Sequence, residues 1–262
     1  MKKVYLQGIA WDQKSSFLEG AKAAPDLIRG YLWSDATNTF SELGEDIAPP
    51  RLQDVGTLTP TAYEQIYEAT QQKLAEHEGP LLTLGGDHSI SFPVVKAVAE
   101  KYGRLNLLHV DAHADLYDNF EGDPFSHACP FARIMESGLA SRLVQVGIRT
   151  LNPHQREQAE RFGVEVFEMR HQAQWELPVL EGPVYLSLDL DGIDPAFAPG
   201  VSHHEPGGLT PREVIALIQQ IQGELVGADV VEYNPTRDVQ GITGALAAKL
   251  VKEIAGKMLS QG

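Results

Sequence analysis

"RLNLLHVDAHADLYD", residues 104–118, decides the reading of this chain. Leu105, Leu107, Leu108 and Val110 belong to an apolar run too continuous for a strand with one wet face. That is the pattern of a parallel strand buried on both sides. Where the run stops, Asp111, His113 and Asp115 follow at every second position. Alternate residues of an extended chain share a face. Three metal-type side chains therefore converge where the strand ends.

Similar runs recur outward from it: "KVYLQGIA" (3–10), "PLLTLGG" (80–86), "RLVQVGIR" (142–149), "GVEVFEM" (163–169), "PVYLSLDL" (183–190) and "ELVGADVVEYN" (224–234). Amphipathic stretches at 61–78, 90–102, 127–139, 153–162, 211–222 and 240–259 separate them. One of these opens with Thr210 as N-cap, Pro211 at the first helical position and Glu213 three after the cap, the signature of a capping box. Alternation of strand and helix predicts an α/β fold with a parallel sheet covered on both faces. No Pro/Gly/Ser-rich linker divides the chain, so residues 1–262 are expected to form one domain. The Pro-rich segment 44–60 reads as a surface excursion. Ligands of open parallel sheets gather at the carboxyl ends of strands, which is where the Asp/His pattern lies.

The formal net charge is −15. That argues against a nucleic-acid or anionic-membrane partner, which needs clustered Lys and Arg, and it suits a cationic substrate. Cys129 is the only cysteine, so no intrachain disulfide can form, and a reducing cytoplasm is the expected location. The sequence holds no apolar stretch of about 20 residues that would span a bilayer.

Two further segments repeat the strand-end logic. "YLSLDLDGIDP" (185–195) ends in Asp189 and Asp191, two apart, before a Gly/Pro turn. "LLTLGGDHSISFPVV" (81–95) places His88 after a strand and a Gly-Gly turn, with Asp87 available to cap the next helix. Buried unpaired carboxylates are costly, so this many strand-end acids call for cations. His88, Asp111, His113, Asp115, Asp189 and Asp191 offer two imidazoles and four carboxylates, with no thiolate among them. The set is too large for a tetrahedral structural zinc. It suits two adjacent divalent ions, Mn²⁺ first, with Fe, Co, Ni and Zn left open. A water between such ions becomes a hydroxide nucleophile near neutral pH.

"GGDHSIS" (85–91), "DAHAD" (111–115) and "SLDLDGIDPAFAPG" (187–200) also resemble the signature segments of the ureohydrolases, the arginase/agmatinase family. "YDNFEGDPFSHACPFARIME" (117–136), "VSHHEPGGLTPREV" (201–214) and "GADVVEYNPTRD" (227–238) look most like its plant-type arginase branch. The resemblance implies a three-layer αβα sandwich around a mainly parallel eight-stranded sheet, two Mn²⁺ ions per chain, and hydrolysis of a guanidino group to urea and an amine. By position it assigns His88, Asp111, Asp115 and Asp189 to one ion and His113, Asp111, Asp189 and Asp191 to the other, with Asp111 and Asp189 bridging. Asp115 is counted among the catalytic groups as well. His127 matches the family's proton-shuttling histidine, and Glu232 matches the glutamate that orients the guanidinium. The chemistry asks for both roles, because a planar cation pairs with a carboxylate and a leaving amine needs a proton.

For the substrate's tail, the same comparison points to Tyr117, Asp123 and Asn152. Arginine and agmatine both stay open: overall likeness favours arginine, while an aspartate at 123 would repel its carboxylate and favour agmatine. Guanidinobutyrate is a third candidate and would need a cation such as Arg149 or Arg133. A metal-binding regulatory relative without catalysis is the reading from a different class. His203 and His204 are expected to be structural or solvated, and Cys129 to pack. Homo-oligomers of three or six chains are usual in the family.

Overall fold

The computed structural model describes residues 2–261. Met1 and Gly262, the ends of the expected domain, lie outside the described residues. Eight strands form one sheet: β1 (Val4–Ile9), β2 (Leu52–Leu58), β3 (Leu81–Leu84), β4 (Leu105–Val110), β5 (Ala140–Ile148), β6 (Glu165–Glu168), β7 (Pro183–Asp189) and β8 (Glu224–Val231). Their order is β2-β1-β3-β8-β7-β4-β5-β6, and every neighbouring pair is parallel. The helices are α1 (Ala24–Leu32), α2 (Glu64–Glu76), α3 (Ser91–Tyr102), α4 (Pro130–Glu136), α5 (Pro153–Phe162), α6 (Pro211–Gln220) and α7 (Ile242–Ser260).

Period-two alternation sorts the strands' side chains into two cores. Leu108, Val110, Leu186 and Val230 pack with Ile28 of α1, Ile218 of α6 and Ile254 of α7. Leu107, Tyr185 and Val226 face the other way, onto Ile66 of α2, Val98 of α3, Phe131 of α4 and Ala159 of α5. Helices thus cover both faces, the three-layer sandwich expected of these sequence patterns. Thr210 and Glu213 close the predicted capping box at the start of α6.

Segment 44–60 is corrected. It contains β2, an edge strand paired with β1. "LQDVGTL" is buried only at its first residue and half-exposed for most of the rest, so it lacks the apolar run that marked the inner strands. The chain before it also contains α1, packed against α7. The helix predicted over 127–139 starts only at Pro130, which leaves His127 in a loop.

The four central strands, β3, β8, β7 and β4, lie side by side. Their carboxyl ends carry His88, Glu232, Asp189/Asp191 and Asp111–Asp115 in turn. Residues far apart in sequence meet because of that strand order.

Candidate metal centre and active site

Three close backbone approaches build the floor. A Cβ on Gly86 would collide with the carbonyl of Trp11, which accounts for the second glycine of the Gly-Gly turn. A Cβ on Gly192 would stand 2.9 Å from the Asp111 amide nitrogen. The Gly86 carbonyl accepts the Glu232 amide at 2.8 Å and so draws β8 onto the turn that carries His88. Asp87 caps that turn, accepting the Ser89 amide at 3.1 Å. Asp115 and Glu232 hold left-handed backbones, φ 49° and 62°, both at the site. Strain of this kind in non-glycine residues clusters at functional positions.

Side-chain atoms converge in two nests. Nδ1 of His88 lies 3.2 Å from Asp111 Oδ2, 3.1 Å from Asp115 Oδ2 and 3.1 Å from Asp189 Oδ2. Nδ1 of His113 lies 3.4 Å from Asp111 Oδ1 and 3.1 Å from Asp191 Oδ2. Asp111 therefore offers one oxygen to each nest. Asp189 offers Oδ2 to the first, while its Oδ1 accepts the Asp191 amide at 2.7 Å. Two ligands at right angles, each about 2.1 Å from an ion, are separated by about 3.0 Å, which matches these spacings. His88 Nδ1 is also buried without a well-aligned hydrogen bond. An orphaned ring nitrogen facing three carboxylates fits a cation site.

The electrostatics agree. Burial alone would depress His88, but Asp111, Asp115 and Asp189 raise its affinity for a proton well above the ordinary value. The same opposition raises His113, through Asp191 and Asp111. Burial and neighbouring carboxylates push Asp189 well up and Asp191 to about 6. Asp111 is held low despite burial by His109, His113 and His88. In the metal-free chain the cluster draws protons as substitutes for positive ions.

His109 also touches this cluster. Its Nε2 lies 2.8 Å from Asp111 Oδ2, and its Nδ1 lies 3.0 Å from the amide nitrogen of Gln145. That amide can only donate, so Nδ1 accepts and Nε2–H donates to Asp111. His109 supports a ligand and is not one itself.

His127 and Glu232 form the adjoining wall. His127 Nδ1 donates to Glu232 Oε1 at 3.0 Å, and the His88 amide donates to the same oxygen at 2.8 Å. Among the described residues, Glu232 Oε2 carries no hydrogen bond. His127 Nε2 faces the Ser16 hydroxyl at 2.8 Å and the Ser16 amide at 3.2 Å. Only when it is unprotonated can Nε2 accept from that amide. Although burial opposes charge, Glu232, Asp115 and Asp87 raise the proton affinity of His127 to about 9. The ring is thus poised to take a proton at Nε2 and release it. Glu232 itself is held low against burial by His127 and the His88 amide.

A cavity of about 270 Å³ opens onto His113, Asp115, His127, Asp189, Asp191 and Glu232. Tyr117 lines it. Asp123 does not: it is ion-paired with Lys14 and accepts the Phe125 amide. Asn152 does not line it either, because its side chain caps α5 through the Gln155 amide and donates to the Tyr117 hydroxyl. Neither side chain is turned to the cavity, since each is used by its own loop. His203, set aside in the sequence, lines the cavity, with its ring 6.0 Å from that of His113 and 5.4 Å from that of His127. Ser16 and Gln155 also line it and were missed. Arg149 donates to four backbone carbonyls, including those of Asp191 and Gly192, and is structural. Arg133 pairs with Glu136. Burial pushes the Cys129 thiol up to about 12, consistent with packing. A larger cavity, about 640 Å³, lies by α6 and α7, but its one titratable group, Lys257, is engaged by the Gln219 carbonyl.

A family model described as the arginase family matches residues 2–256. The mitochondrial arginase of Medicago truncatula is 49% identical over 97% of this chain and 81% of that protein. A chloroplastic/mitochondrial arginase of Arabidopsis thaliana is 48% identical over 97% and 80%. The solved structure of a Medicago truncatula arginase superposes with a TM-score of 0.92 at 46% identity, covering 98% of this chain and 87% of that one. These names overturn the cytoplasmic expectation, since similar arginases of Medicago, Arabidopsis and rice are called mitochondrial or chloroplastic. A single cysteine excludes an intrachain disulfide but does not tell one reducing compartment from another.

Proposed function

The chain belongs to the arginase family, and from that premise we propose that it hydrolyses arginine to urea and ornithine at a pair of Mn²⁺ ions. The observation that carries this reading is the shared carboxylate: Asp111 presents one oxygen to each of two His/Asp nests on the floor of a cavity that also holds Glu232 and His127. His88, Asp111, Asp115 and Asp189 would hold one ion, and His113, Asp111, Asp189 and Asp191 the other. The chemistry such ions supply is acidification of a water toward a neutral pKa, which provides the nucleophile for the guanidino carbon.

The chain's own groups do the rest. Glu232 Oε2, free of other partners, accepts from the guanidinium and turns its plane toward the floor. With two divalent ions offsetting the four floor aspartates, Glu232 is the carboxylate that favours a cation. His127 gives its Nε2 proton to the departing amine and regains one from solvent through the cavity. Glu232 fixes the ring by accepting from Nδ1. The floor groups and Glu232 stand at or just beyond the ends of strands of one sheet, with His127 in the loop before α4, which supports the reading of residues 1–262 as one catalytic domain.

Identity to plant arginases, 46–49%, exceeds that to an agmatinase of Gallus gallus, 36%, and to a human guanidino acid hydrolase, 35%. That supports arginine over agmatine, which lacks the carboxylate, and over guanidino acids. Gln155, whose buried Oε1 has no partner, and Tyr117 are the tail contacts proposed in place of Asp123 and Asn152. A homo-oligomer of three or six chains is proposed from the family resemblance.

The test is urea release by the Mn²⁺-loaded protein from arginine, agmatine, guanidinobutyrate and guanidinopropionate at equal concentration, with a Ni²⁺-loaded control. Arginine is expected to dominate. Preference for agmatine would overturn the substrate, and urea from none of them would overturn the guanidino reading.

A further inference from the structure

Six central and near-central strands each carry one fully buried polar residue in an otherwise apolar run: Gln7, Thr83, Asp229, Ser187, His109 and Gln145. They are in register. Gln7 pairs with Thr83, Thr83 with Asp229, Asp229 with Ser187, Ser187 with His109, and His109 with Gln145. In a parallel sheet, in-register residues share a face. A polar row therefore crosses β1, β3, β8, β7, β4 and β5 just beneath the metal floor. Burying six such groups is costly unless they are bonded, and their bonds run in definite directions.

Asp229 accepts from the Ser187 hydroxyl at 2.7 Å and from the Tyr185 hydroxyl at 2.7 Å. Ser187 has spent its one proton, so toward His88 it can only accept. His88 Nε2, 2.9 Å away, must therefore donate. That leaves Nδ1 as the nitrogen whose lone pair is available to a cation, and it is the atom facing Asp111, Asp115 and Asp189. On the other side, Gln145 donates to His109 Nδ1 and to the Ala114 carbonyl, which sends the His109 Nε2 proton to Asp111 Oδ2. The Gln7 end is different: its amide donates to Thr83 and to Thr70 of α2, with no bond to the floor.

We propose that Asp229–Ser187 and Gln145–His109 are two positioning relays that orient His88 and Asp111 for metal binding, while the Gln7–Thr83 end of the same row is structural only. The inference rests on the metal reading of the floor. Partners of ligating histidines commonly affect metal affinity about 10–100-fold, and the same row supplies its own control.

The experiment titrates Mn²⁺ into metal-stripped protein calorimetrically, for the unmodified chain, Ser187→Ala, Gln145→Leu and Thr83→Val. Ser187→Ala and Gln145→Leu should each weaken uptake, Ser187→Ala by about 10–100-fold. Thr83→Val, an equally buried deletion in the same row, should change it by less than about twofold. Equal effects in Ser187→Ala and Thr83→Val, whether large or absent, would overturn the relays. Should the variants fold poorly, ¹⁵N-histidine spectra of the unmodified Zn²⁺-loaded protein decide. A water-protected proton on Nε2 of both His88 and His109 supports the proposal, and an unprotonated Nε2 on either overturns it. No divalent uptake by the unmodified chain would sink the metal reading itself, and the relays with it.

Discussion

His88, Asp111, Asp189 and Glu232 are each less than 5% exposed and stand at or just beyond the ends of four neighbouring strands. Tyr117, Phe120, His203 and Glu205 line the same cavity from loops and are half-buried. On the floor, each charged group is held by a strand end, a close glycine contact or a capped turn, and by at least one charged partner. On the rim, side chains are held by each other, as Tyr117 is by Asn152. A buried charge has few tolerable positions, because an unpaired one is costly. A rim residue has many, because water can replace a lost partner. The floor should therefore be intolerant of change and the rim forgiving.

The sharpest break of that contrast would come from Asp111→Ala. Loss of the carboxylate shared by both nests should remove metal and lower kcat/KM by on the order of a thousandfold or more, read by metal analysis and urea release together. Retained activity would end the two-nest reading. His127→Asn should lower kcat by about 10²–10⁴-fold, the span of a lost general acid, with metal content unchanged. Loss of metal instead would make His127 a ligand. Glu232→Gln removes a charged acceptor worth about 1.5–3 kcal/mol. It should cut kcat/KM by about 10–100-fold, and an unchanged value would take the guanidinium away from it.

A subtler test is pH. His127 in the metal-free chain is raised to about 9 from 6.5. Its pair with Glu232 therefore stabilises fully below about pH 6.5, and that contribution is lost as pH rises through 9. Loading divalent ions offsets the nearby carboxylates and should lower the His127 value, measurable by histidine NMR with a diamagnetic ion. No shift on loading would place the ions elsewhere. The smallest effect is expected from Asp123→Asn. Its partly exposed pair with Lys14 is worth about 0–1 kcal/mol, and the arginine-to-agmatine ratio should change less than about twofold. A larger change would return Asp123 to the substrate's tail.

Much of the floor is legible without coordinates. Parallel strands buried on both faces read as continuous apolar runs, and Asp111, His113 and Asp115 declare a shared face by their spacing. Polar residues inside such runs, Ser187 in "YLSLDL" and Asp229 in "GADVV", carry a further signal. An uncompensated polar group cannot sit in a core, so each implies a partner. β2 escaped because an edge strand need not be apolar on both faces. Asp123 and Asn152 turn into their own loops, because position in a loop does not say where a side chain turns.

The sequence alone determined the α/β class, the parallel strands and the six His/Asp side chains at their ends, since backbone periodicity and burial are local. Tertiary structure decided that β3, β8, β7 and β4 lie side by side. It also decided that His203 enters the cavity while Asp123 leaves it, and that a polar row underlies the metal floor. Those outcomes depend on strand order, register and loop path. They follow from packing between segments remote in sequence, and no local pattern encodes it.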